Sequence, residues 1–201
     1  MKSILARKST SRILLALIFA FAIVAGAALE KRSESAPTAP RAESDGTIAQ
    51  ADPCAVTRET REVRGGSLSG IIASGASIEV LVGYYACHPV LRNDIVMYRY
   101  GGNPEPIIKI VRGVPGDALK LQKEGAVWRI VVNGKVLATS GGAPYALGDA
   151  AHRILSLYVP EGGVVIASST YLIFGNLAEG SVDSTRFGLV DVSDILGKVE
   201  P

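Results

Sequence analysis

The chain has little of what most catalytic centres are built from. Its 201 residues include two cysteines and two histidines. A zinc site needs Cys or His ligands at short, regular spacings, and neither Cys54 nor Cys87 has such a partner, so no metal and no cofactor is expected. A Ser-His-Asp triad would have to use His88, in CHPV beside Cys87, or His152, in the turn-like GDAAHR. Neither setting suits a general base. There is no P-loop, no HExxH and no Ser-x-x-Lys. GGSLS at residues 65–69 starts like a nucleophile elbow, but Ser69 stands where the closing glycine belongs. The net charge is only +2, with Lys and Arg spread along the chain, so nucleic acid is not an expected partner. No internal repeat is visible, and no long amphipathic helix follows residue 30.

What is present begins with an asymmetric N-terminus. Residues 1–12 carry Lys2, Arg7, Lys8 and Arg12 and no acid; residues 13–29 carry no charge at all. Seventeen residues are at the short end for a membrane span, and the segment reads as a retained transmembrane helix, with Ala25-Gly-Ala27 leaving a cleaved signal peptide as the alternative. The basic start keeps the N-terminus in the cytoplasm and puts the remainder across the membrane. Residues 30–53 are small, polar and proline-containing, the composition of a flexible tether. In an oxidising compartment Cys54 and Cys87 are expected to form one disulfide, two free thiols being the alternative.

Residues 54–201 read as a mostly β, antiparallel domain. Valine, isoleucine and 22 glycines favour strands and turns. Strands are predicted over residues 58–64, 77–82, 94–100 and 106–112, and further ones at 157–159, 164–167 and 171–175. Residues 128–139 predict a hairpin around Asn133-Gly134, a type I′ turn pair. Within the strand at 106–112, Lys109 shares one face with Ile107 and Val111 while Ile108 and Ile110 take the other, so both faces look buried. Such a lysine either guards a sheet edge or has lost hydration for a chemical purpose. Burial disfavours the ammonium, and a neutral amine can take a proton from a serine. Ser67 is the candidate: it follows a predicted strand, in a turn where Gly65 and Gly66 leave room for a substrate backbone.

VRGGSLSGII at 63–72, NDIVMY at 93–98, IIKIVRGVPGD at 107–117, VNG at 132–134 and GNLAEGSVDSTRFGLV at 175–190 resemble, in order and spacing, the motif blocks of type I signal peptidases. The resemblance spans roughly residues 60–199 and implies an antiparallel β fold with a hairpin-rich region, here residues 118–170, inserted after the lysine block. By position it makes Ser67 the nucleophile and Lys109 the general base. Gly65 stands where some members carry an oxyanion-stabilising hydroxyl, which leaves the Ser67 N–H as chief donor. Ser181 would hydrogen-bond and orient Lys109, and Asp183 would pair with Arg186. Val63, Leu68, Ile72, Met97 and Ile108 would line the substrate pockets. There are departures: Leu68 for methionine, Gly70 for proline, Asn93 for glycine, and Arg186 one residue late. The stretch between Ile72 and Asn93 is longer than usual and contains Cys87. The implied protein is a monomeric, membrane-anchored serine endopeptidase that removes signal peptides from exported preproteins outside the cytoplasmic membrane. The alternatives are a processing protease for a pilin or conjugation factor, and an inactive exported binding protein on the same fold.

Overall fold

The computed structural model describes Asp52, residues 54–101 and residues 103–201. The basic N-terminal stretch, the candidate anchor at 13–29 and nearly all of the 30–53 tether lie outside the described residues. Among the described residues no helix is long and apolar enough to cross a membrane.

Among the described residues eleven strands form two antiparallel sheets. Strands β1 (Thr57–Glu62), β2 (Ser77–Val82), β3 (Ile95–Tyr98), β4 (Ile107–Gly113), β9 (Thr170–Phe174), β10 (Val190–Asp191) and β11 (Ile195–Glu200) make the larger one, ordered β1-β2-β11-β3-β4-β9-β10. The smaller is β7-β6-β5-β8, from β5 (Ala118–Glu124), β6 (Val127–Val132), β7 (Lys135–Val136) and β8 (Val164–Val165). It occupies the region expected to be inserted. Its β6–β7 turn has positive φ at both Asn133 (50°) and Gly134 (77°), as a type I′ turn requires.

Alternation along two strands builds the cores. Leu172 and Phe174 of β9 pack with Leu119, Ile130 and Tyr145 beneath the smaller sheet, whereas Tyr171 and Ile173 face a second cluster with Val96, Val111 and Ile195. A third cluster joins Val63, Leu68, Ile72, Ile78, Val80, Met97 and Ile110, with Ile108 at its margin. This third core lies directly under the Ser67 turn.

Several sequence expectations are corrected. Residues 149–155 are not a turn but helix α1 (Asp149–Leu155), which places His152 stacked on Trp128 at 3.6 Å between ring centres. Residues 157–159 are turn, not strand, because Leu155 and Val159 bury while Leu157 and Tyr158 face outward, a spacing of four rather than two. Strands β5, β10 and β11 were not anticipated, and helix α2 (Ser184–Phe187) falls inside the Ser-x-Asp-Ser block. Cys54 and Cys87 are joined. The bridge ties the approach to β1 to the segment after β2. Arg92 adds an ion pair to the nearly buried Asp117, which also accepts from Val114 N–H and Asn133 Nδ2.

Candidate active site

Three segments meet at the site. The first is the turn 65–72 between β1 and β2. The second is the start of β4. β3 pairs with β4 from Ile107 through Ile110, but β9 pairs with it only from Ile110 onward, so Ile107–Lys109 has one edge outside that second ladder. The third is the run from Gly175 to α2. Gly175 permits the contact: a Cβ there would lie 2.7 Å from Ser67 O and 2.6 Å from Ser181 Oγ, closer than a side chain tolerates.

Lys109 Nζ lies 2.9 Å from Ser67 Oγ and donates to Ile108 O at 2.8 Å. The two residues are 42 apart in sequence and the lysine is 3% exposed. Loss of hydration drives its pKa down from 10.5 to about 8, with the Asp183 charge opposing the drop. At neutral pH a usable fraction is therefore the free amine, which an exposed lysine does not offer.

Gly65 has φ +81° with open space where a Cβ would be. An L side chain is strained in that region, so the backbone here favours glycine over a hydroxyl-bearing residue.

Asp183 is completely buried and accepts five hydrogen bonds. They come from Gly175 N–H (3.1 Å), Ser181 N–H (3.0 Å), Ser181 Oγ (2.7 Å), Thr185 N–H (3.0 Å) and Thr185 Oγ1 (2.7 Å). Two expectations change as a result. The Ser181 hydroxyl donates to Asp183 rather than to Lys109, because the buried carboxylate is the stronger acceptor within reach. Arg186 is exposed in α2 and forms no ion pair with Asp183 among the described residues. The extra residue before it carries it past the carboxylate, whose charge is met by N–H and O–H donors instead.

A cleft of about 460 Å³ runs between residues 61–64 and residues 105–109 and reaches Ser67 and Lys109. Val63, Met97 and Ile108 line it; Ile78 and Val80 of β2, which the sequence did not single out, complete its apolar floor. Leu68 and Ile72 do not line it. They point into the core below, 1% and 4% exposed, because the turn winds back on itself and Ile72 N–H donates to Leu68 O. Among the described residues no group of three His, Cys, Asp or Glu side chains is arranged to hold a metal ion.

A buried lysine thus lies against a turn serine on an antiparallel β domain, and neither His88 nor His152 lines the cleft. Residues 48–201 match the family described as signal peptidase, peptidase S26, and the chain belongs to that family; it is a serine peptidase. It is 27% identical over 146 residues to signal peptidase IB of Staphylococcus aureus (strain COL), covering 68% of this chain and 73% of that protein. It is also 27% identical over 141 residues to signal peptidase I of Bacillus caldolyticus, covering 69% and 75% respectively. The crystal structure of a signal peptidase I from Enterococcus faecalis V583 aligns with 56% of this chain and 98% of its own, at 17% identity and a TM-score of 0.39.

Proposed function

We propose that the protein removes signal peptides from exported preproteins, with Ser67 as nucleophile and Lys109 as general base. The observation that carries this reading is the 2.9 Å contact between Ser67 Oγ and a buried lysine whose pKa lies near 8. The neutral amine takes the Ser67 proton as Oγ attacks the scissile carbonyl. The Ser67 N–H meets the charge that develops on the carbonyl oxygen. The ammonium then protonates the leaving amine, which releases the mature protein's N-terminus and leaves an ester on Ser67. The lysine, neutral again, activates a water that hydrolyses the ester. Ile108 O accepts from Nζ throughout and so holds the amine beside Oγ.

The substrate binds as an extended strand in the cleft, against residues 61–64 on one side and 106–108 on the other. Its alternate side chains face Ile78, Val80 and Met97, whose narrow apolar surface accepts residues of alanine size. The segment at 13–29 anchors the chain in the cytoplasmic membrane, with residues 54–201 on the outer side. The test is to incubate the chain with an exported preprotein and sequence the new N-termini. Cleavage after Ala-x-Ala, abolished by Ser67→Ala, supports the reading; undiminished cleavage by Ser67→Ala refutes the dyad.

A further inference from the structure

In the sequence Ser69 is the residue that spoils a nucleophile elbow, and the dyad chemistry leaves it unused. In the structure its backbone N–H and its hydroxyl both donate to the Gly66 carbonyl, at 3.0 and 2.6 Å. That carbonyl and the Ser67 N–H belong to one planar trans peptide, so they point in opposite directions. Anchoring the oxygen therefore aims the N–H. Among the described residues the Ser67 N–H donates to no protein group.

Ser69 is itself held. Its carbonyl accepts from Asn176 Nδ2 at 2.8 Å. The same Nδ2 donates to Ser140 Oγ at 2.8 Å, and Asn176 Oδ1 accepts from Ser140 N–H at 2.8 Å. The Asn176 backbone N–H donates to Ser67 O at 2.6 Å. Asn176 is nearly buried and uses both amide hydrogens and its carbonyl oxygen. It clamps the turn at residues 67 and 69 to the loop after β7.

We propose that Ser69 and Asn176 are positioning residues that fix the Gly66–Ser67 peptide so that the Ser67 N–H faces the oxyanion of the tetrahedral intermediate; this rests on the Ser67–Lys109 reading. The need for such a device follows from Gly66. A flip of this peptide turns on ψ of Gly66 and φ of Ser67, and a glycine on one side of it lowers the resistance; the flip would turn a carbonyl toward the oxyanion. A donor stabilises the transition state only if it is already oriented. With no hydroxyl at position 65 to share the task, that orientation has to come from the acceptor side of the peptide.

The test is kinetic and uses the full chain with an Ala-x-Ala preprotein fragment. Two ligands of matching sequence accompany it: a peptide aldehyde, whose carbonyl adds the Ser67 hydroxyl to give a tetrahedral hemiacetal, and the product peptide, which forms no adduct. Ser69→Ala and Asn176→Ala should each lower kcat about 10- to 100-fold and weaken the aldehyde by a similar factor. KM and product-peptide affinity should change less than about threefold, and the pH midpoint should stay in place because the base is untouched. Ser69→Thr, which keeps the hydroxyl, should recover most of the rate. The double variant should be little worse than the poorer single one, since both act through one peptide. Equal losses in aldehyde and product-peptide binding, or a wild-type kcat in Ser69→Ala, would overturn the proposal. Ser67→Ala in the same assay separates the two levels. If it still turns over, the dyad falls; if it is dead while Ser69→Ala and Asn176→Ala run at full rate, only the positioning role falls. Should Asn176→Ala fail to fold, the exposed Ser69 carries the test alone.

Discussion

Lys109 joins the proposed chemistry and the cost of burial in one side chain. Its ammonium is disfavoured by burial, so kcat/KM should rise with one-proton dependence and level off above about pH 8. The stability argument has a definite sign. The folded pKa of about 8 lies below the unfolded 10.5, so the unfolded chain holds more protons between those values. The penalty is fully present below pH 8 and is relieved as pH rises through that window. Lys109→Met should therefore be inactive yet more stable than the parent near neutrality, by up to about 3 kcal/mol. Urea unfolding at pH 7 and at pH 10 reads this: the gain should shrink at the higher pH. Lys109→Arg should be inactive as well, since a guanidinium keeps its proton. Asp183→Asn puts an NH2 where donors converge, and should destabilise by about 2–3 kcal/mol. It also removes the charge that favours the ammonium, so the pH–rate midpoint should move down, not up. The burial of Lys109 was legible in the sequence, because isoleucines stand on both faces of its strand, while the same pattern also fitted a lysine guarding a sheet edge. Arg186 misled, since one inserted residue redirects a side chain on a short helix, and spacing alone does not show that.

At the scale of elements, the site is a matter of where strands stop pairing. β4 pairs with β3 on one edge from Ile107 through Ile110 and with β9 on the other only from Ile110 onward, and the stretch just before that point carries Ile108 and Lys109. The end of β9 delivers Gly175 against Ser67. Gly175→Ala should cost about 100-fold in kcat, because its Cβ would push on Ser67 O and Ser181 Oγ and displacements near 1 Å have that effect. Circular dichroism should still report a folded β domain. Strands rich in isoleucine and valine, such as β2 and β4, were readable. β5 was not: ALKLQKE alternates, but its outer face carries so much charge that it resembles a loop. β11 was hidden by Gly197, which lies against Leu81 O so closely that no Cβ fits. Helix α1 has only 7 residues, too few for its period to stand out. The Asn133-Gly134 turn was legible because its chemistry is local.

Across the whole domain, long-range ties do what the small sheets cannot. Cys54–Cys87 closes a separation of 33 residues around β1, β2 and the Ser67 turn. Replacing both cysteines by serine should lower stability by about 3–4 kcal/mol in the chain-entropy view, read from urea unfolding, with m rising because the denatured chain loses its cross-link and exposes more surface. Cleavage at low temperature should survive, since neither cysteine lines the cleft. The pairing was foreseeable from the cysteine count and the exported location that the N-terminal sequence leads one to expect. The Asn176 clamp was not, because a lone asparagine after a glycine says nothing of partners 36 and 107 residues away.

Among the described residues β1 has a neighbour on one side only, and the start of β4 lacks one on the side away from β3. The domain is thus a weave with one thread left out, and on the proposed reading the substrate supplies it. Each turnover completes the fabric and then cuts the strand that completed it. The two halves of a severed thread grip less firmly than the whole, so release is built into the act of cutting. An unbreakable peptide of the same shape would act less as a plug than as a missing piece of the protein, and should raise its melting temperature accordingly.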